Sequence, residues 1–90
     1  MNSIVQDLSQ ERCFRCGKTV NLDLHHIMHG TANRRWSTKL GLVCWLCRPC
    51  HRLAHCDYMT NKALQKVAQT AFEQEHTRQE WMKIFGKNYL

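Results

Sequence analysis

The chain has 90 residues, enough for one small domain and too few to bury a large apolar core unaided. Its 13 Lys and Arg against 7 Asp and Glu give a formal charge of +6, a balance that suits a phosphate backbone. No stretch approaches the roughly 18 apolar residues of a membrane-crossing helix, which excludes that class.

Six cysteines admit two readings: a disulfide scaffold of a secreted protein, or a metal site. Residues 1–8 have neither a basic start nor a long apolar run, so no secretory signal is expected and the chain reads as cytoplasmic. Zinc is therefore the expectation. Four thiolates around one Zn²⁺ lower the charge by two, to about +4, which is still basic.

Residues 1–12 lack a hydrophobic period and read as a short arm, with room for one helical turn through Ser9–Arg12. Cys13-Phe-Arg-Cys16 followed by Gly17 is the pattern of a zinc knuckle, where glycine lets the backbone turn tightly around sulfur. Val20–Leu24 alternates apolar and polar residues as a half-buried strand does, and His25-His26-Ile27 ends it. Residues 28–41 read as a long basic loop. Leu42–Leu46 is an apolar run of strand length, completing a hairpin. Pro49 suits the first turn of a helix over Pro49–Asp57, with Cys50 in that turn, where the helix dipole favours a thiolate. From Asn61, Leu64, Val67, Ala68, Ala71 and Phe72 recur at helical spacing. Thr77-Arg-Gln-Glu80 fits a capping box opening a last helix with Trp81, Ile84 and Phe85 inward and Gly86 as its C-cap.

Cys13, Cys16, Cys47 and Cys50 form two Cys-x-x-Cys pairs separated by 30 residues. Such spacing satisfies a tetrahedral structural zinc site. The order knuckle, hairpin, helix is that of a treble clef. The expected fold is thus α+β: a zinc-stapled treble clef over 13–58, with a helical extension over 59–90, in a single domain of residues 1–90. Cys44 is expected in the core and Cys56 as a partly buried thiol.

The histidines are not needed for that staple. His51 and His55 are four apart and share a helix face. With His25 and His26 in the cysteine frame, they resemble the HNH endonuclease family, in its zinc-bound branch where a ββα-metal unit is built on a treble clef. The likeness rests on Leu24-His-His-Ile27, Leu46-Cys-Arg-Pro-Cys-His51 and His55, and covers residues 13–55. Ile84–Leu90 also resembles the ends of small HNH-like proteins of bacterial phages and prophages.

The resemblance implies a metal-dependent nuclease that hydrolyses phosphodiester bonds in DNA, in a bacterial host or encoded by a phage. His26 matches the general base that takes a proton from water, a task suited to an imidazole at neutral pH. His25, His51 and His55 match ligands of a catalytic divalent ion that stabilises the leaving oxygen. Mg²⁺ prefers oxygen donors, so the histidines lean toward Mn²⁺, Ni²⁺ or Zn²⁺. The family usually carries Asn about five residues before the third zinc cysteine, bracing the hairpin loop. Here that position is Leu42, and Asn33 is out of register, so either another group braces the loop or the site is degraded. Strand alternation also sends His25 and His26 to opposite faces unless the strand ends or bulges there.

Arg34, Arg35, Lys39, Arg48 and Arg52 surround these motifs and are candidates for DNA-backbone contacts, which carry little sequence information. Trp36 is expected to pack against the loop. His29 and His76 are expected at the surface, with His29 near enough to touch a phosphate. The alternatives to a nuclease are a zinc module that binds DNA without cutting it, or an interaction domain that docks a phage protein; a homodimer is also open. No membrane partner is expected.

Overall fold

The computed structural model describes residues 2–90. Two strands, β1 (Leu22–His26) and β2 (Val43–Cys47), pair antiparallel from Leu22↔Cys47 to His26↔Val43 with no bulge. Four helices complete an α+β architecture: α1 (Arg34–Leu40), α2 (Arg48–Cys56), α3 (Tyr58–Phe72) and α4 (Arg78–Phe85).

The strands follow the expected hairpin with shifted ends. Val20 is exposed and Asn21 adopts a positive φ of 54°, which breaks extended backbone before Leu22. β1 runs through both histidines and ends at His26.

The expected loop over 28–41 contains a helix. α1 has no apolar stripe for periodicity to detect; its fully buried residue is Ser37. Ser37 donates its hydroxyl to Met28 O (2.7 Å) and accepts from Met28 N (2.9 Å). Tertiary hydrogen bonds rather than propensity hold these two turns. Gly41 ends α1 at φ +72°, and a Cβ there would lie 3.0 Å from Asn2 O, so both backbone and space call for glycine.

The N-terminal arm forms no helix over Ser9–Arg12 but straps the outer edge of β2. Ile4 N donates to Gly41 O, Ser3 Oγ to Val43 O, and Trp45 N to Gln6 Oε1; Trp45 Nε1 donates to Leu8 O. Those bonds satisfy an edge that would otherwise present unpaired groups.

α2 begins at the N-cap Cys47 with Pro49 in its first turn. It ends at Asp57, whose carboxylate accepts from Thr60 N (3.0 Å) and starts α3 at Tyr58, three residues before the apolar spacing suggests. Leu64, Ala68 and Phe72 bury one side of α3 against Ile27, Leu42, Leu46 and Ala54. Thr77 and Glu80 form the expected capping box of α4, Gly86 caps it at φ +73°, and Trp81 is fully buried. The buried amide of Gln69 holds the last residues, donating to Asn88 Oδ1 (2.9 Å) and accepting from Tyr89 N (2.7 Å).

Candidate metal centres and the adjoining cleft

Among the described residues, two groups of side chains that could hold a metal ion meet on α2. The first joins Cys13, Cys16, Cys47 and Cys50, with all four sulfurs within 4.8 Å of one another. The knuckle is closed by Gly17 N donating to Cys13 O (2.9 Å) and Cys13 N to Lys18 O (2.7 Å). Cys16 N points at Cys13 Sγ (3.4 Å), and Cys16 Sγ lies 3.5 Å from Cys47 Sγ. Burial alone would raise the Cys13 thiol, but the backbone N–H groups of Cys47, Cys16 and Arg15 outweigh it and bring the thiol down to about 6. Burial and the neighbouring thiols push Cys50 up to about 12, although Arg15 Nη1 stands 3.6 Å from its sulfur. Four sulfurs brought this close fit a tetrahedral ion such as zinc. Cys44 is fully buried and Cys56 exposed, and neither belongs to the group. The burial of Cys44 matches the core role expected of it.

The second group is His25, His51 and His55, whose ring nitrogens also lie within 4.8 Å of one another. Alternation along β1 puts Asp23 and His25 on the face toward α2 and Leu24 and His26 on the other. His25 is buried, and its ring centroid is 5.0 Å from that of His51 and 5.3 Å from that of His55. Burial, then the imidazoles of His51, His55, His29 and His26, push its pKa down to about 3. His25 is therefore neutral, with a lone pair to offer, at any physiological pH.

Asp23 lies beside this group. Its Oδ2 is 3.1 Å from His51 Nδ1. A carboxylate only accepts, so the proton sits on His51 Nδ1 and the lone pair on Nε2. That Nε2 is 3.2 Å from His55 Nε2. Two imidazole nitrogens this close either share one hydrogen bond or hold a common ion. The buried Nε2 of His25 has no hydrogen-bond partner among the described residues, a costly state that a cation would relieve. The donors thus fit a borderline divalent ion.

His26 lies outside this triad. It lines a cleft of about 510 Å³ together with Leu24, His29, Gly30, Thr31, Arg34, His51 and His55. Burial and the nearby Arg34 guanidinium lower its pKa, which favours the proton-accepting form at neutral pH.

Among the expected backbone-binding cations, Arg34 reaches this cleft. Arg35 and Lys39 lie over Trp36, at 5.8 and 5.2 Å from its ring, and line a separate depression with it. Trp36 is half-buried, with a charged rim rather than a purely packed face. Arg48 and Arg52 are exposed on α2 and do not line the cleft. His76 is exposed, stacked on Phe72.

Sequence reasoning missed two residues. Asp23 is two before His25 and shares its face, a signal that alternation alone contains. His29, expected at the surface, instead packs its ring 5.0 Å from His55 and 6.1 Å from His25. Its position depends on the turn that Ser37 braces.

No protein-family model matches the chain, no curated protein does, and no solved structure does. Among the described residues, no helix is long and apolar enough to cross a membrane. The functional reading therefore rests on the residues themselves.

Proposed function

We propose that the chain is a metal-dependent HNH-type endonuclease acting on DNA, with a treble-clef frame held by zinc in its four cysteines. The observation that carries this reading is the convergence of His25, His51 and His55 beside a cleft that also contains His26 and Arg34. A purely structural domain has no use for this second set of donors.

A divalent ion held by His25, His51 and His55 would supply positive charge to the phosphate and its departing oxygen. His26, neutral and facing the cleft, takes the proton of the attacking water. The cationic Arg34 draws the phosphate to the cleft and keeps His26 deprotonated between turnovers. Asp23 orients His51 through Nδ1. Arg35, Trp36 and Lys39 extend a basic surface on which the rest of a nucleic acid can lie, Trp36 offering a ring face. Arg48 and Arg52 contribute to the general positive field rather than to the cleft.

Leu42 in the Asn position does not leave the loop unbraced. Ile27 N donates to Leu42 O (3.0 Å), Leu42 N donates to Ser37 O (2.8 Å), and the Ser37 hydroxyl closes on Met28. Ser37 thus stands in for the missing side chain. The same departure favours the second reading, a zinc module that binds DNA without cutting it, since no side-chain amide is present there to align a catalytic histidine.

The deciding experiment is nicking of supercoiled plasmid by purified protein with Mn²⁺, Ni²⁺, Zn²⁺ or Mg²⁺. Wild type should nick and His26→Ala should lose about 10²–10⁴-fold in rate with its fold and zinc content unchanged. Full activity in His26→Ala would sink the mechanism. DNA binding without cleavage under every metal would establish the second reading.

A further inference from the structure

The histidine cluster contains one ring more than the three that converge. His29 Nε2, like His25 Nε2, is buried without a hydrogen-bond partner among the described residues. A buried polar nitrogen left unpaired is destabilising. Two in one cluster of four imidazoles have a common explanation. We propose that His29 Nε2 is a fourth ligand, so that the cluster is a four-imidazole site for a late first-row divalent ion. This inference rests on the metal site in the proposed function, where the ion would take phosphate by expanding to five ligands or by releasing His29.

The geometry supports it from both sides. The His29–His55 ring separation, 5.0 Å, equals that of His25–His51 and is close to the 4.9 Å of His51–His55. Four of the ring separations, at 4.9–5.3 Å, are those of imidazoles around a common centre, and the His25–His29 separation of 6.1 Å is the one that must shorten. A tetrahedral ion with metal–nitrogen bonds of 2.0–2.1 Å needs its ligand nitrogens about 3.3 Å apart. His51 and His55 Nε2 already meet that spacing at 3.2 Å. His29 stands outside the tightest set of three and joins it by rotating its own side chain.

Its backbone is ready for that role. Met28, just before it, is buried and held at both N and O by the Ser37 hydroxyl. Gly30, just after it, turns the chain at φ +96°, and its carbonyl accepts from Asn33 N and Arg34 N. The turn is fixed and the ring alone is adjustable. His29 also lines the cleft, which His25 does not, so the fourth ligand sits on the solvent side of the ion.

Four neutral nitrogens discriminate strongly between ions. They suit Zn²⁺, Ni²⁺, Co²⁺ or Cu²⁺ and reject Mg²⁺, which demands oxygen.

The test is a Co²⁺ titration of the full chain with Zn²⁺ in its cysteines. Co²⁺ entering the cysteines instead would announce itself by thiolate charge-transfer bands, which keeps the sites separable. Wild type should bind a second ion with the intense visible absorption of four-coordinate Co²⁺. His29→Phe keeps a ring and removes both nitrogens; water then takes the vacated position, so the visible band should shift and the Kd should rise at least about tenfold. His29→Ala is the second variant, with circular dichroism and retained zinc reporting an intact fold. Unchanged spectrum and affinity in both variants would overturn the fourth ligand and leave the three-histidine site standing. Failure of wild type to bind a second ion would overturn the inference and the metal site beneath it.

Discussion

Asp23 and His51 face each other across the junction of β1 and α2, with Oδ2 3.1 Å from Nδ1. This contact decides which nitrogen of His51 is free. An imidazole whose Nδ1–H is held by a carboxylate presents a fixed, more basic Nε2 to a metal. Asp23→Ala should weaken divalent-ion binding at the histidines about 10–100-fold while leaving the cysteine site loaded. Isothermal titration of the zinc-loaded protein with Ni²⁺ measures the first effect. Retained zinc after gel filtration measures the second. An unchanged Ni²⁺ affinity would remove Asp23 from the site.

His25 makes stability depend on acid. Unfolded, it takes up a proton near pH 6.5; folded, burial and its neighbouring imidazoles delay this to about pH 3. The unfolded chain therefore binds more protons throughout that window. Stability is intact above pH 6.5 and is lost as pH falls toward 3, by up to about 1.4 kcal/mol per pH unit for this one group. Urea denaturation at pH 7, 6 and 5, compared between wild type and His25→Leu with zinc in the cysteines and no second divalent ion, isolates it, because acid release of zinc from the cysteines is common to both. Parallel pH profiles for the two proteins would contradict this account.

The cysteines should carry much of the fold. They fasten the knuckle at Cys13 and Cys16 to the end of β2 and the start of α2. Zinc binding to such sites is worth about 10–16 kcal/mol at neutral pH, comparable to the whole stability of a domain this size. A strong chelator should abolish cooperative thermal unfolding, and Cys16→Ser should do much the same. Cys56→Ser, at an exposed thiol outside the group, should leave the melting temperature unchanged.

Ser37 provides a separate check on the loop. Replacing it with alanine strips Met28 N and O of their partner in a fully buried place. The expected loss is about 1–3 kcal/mol in denaturant unfolding. Faster amide exchange at Met28 and His29 should accompany it. Ser37→Thr, which keeps the hydroxyl, should recover part of the loss.

Much of this architecture was legible beforehand because it follows short-range rules. The Cys-x-x-Cys spacing, the Pro49 start, the Thr77–Glu80 box and the alternation in β1 are each local. What escaped depends on contacts distant in sequence. α1 was invisible to hydrophobic periodicity because it is pinned by a buried serine rather than an apolar stripe. The strap of residues 2–8 along β2 works through side chains such as Gln6, whose partner Trp45 lies 39 positions away. His29 joins the other imidazoles only because that braced turn folds back beside α2. Of the expected phosphate-binding cations, Arg34 reaches the cleft through α1, which a loop reading did not place.

α2 is nine residues long, and Cys50, His51 and His55 all lie on it. Two ions held from so short a helix would share its placement and so be coupled. Filling the cysteines would position His51 and His55, and an ion on the histidines would in return tighten the grip on a thiol-bound ion by the same factor. Loss of the thiol-bound ion would then loosen the histidine group through sulfurs that are no part of it, making the supply of one metal a control on the binding of another.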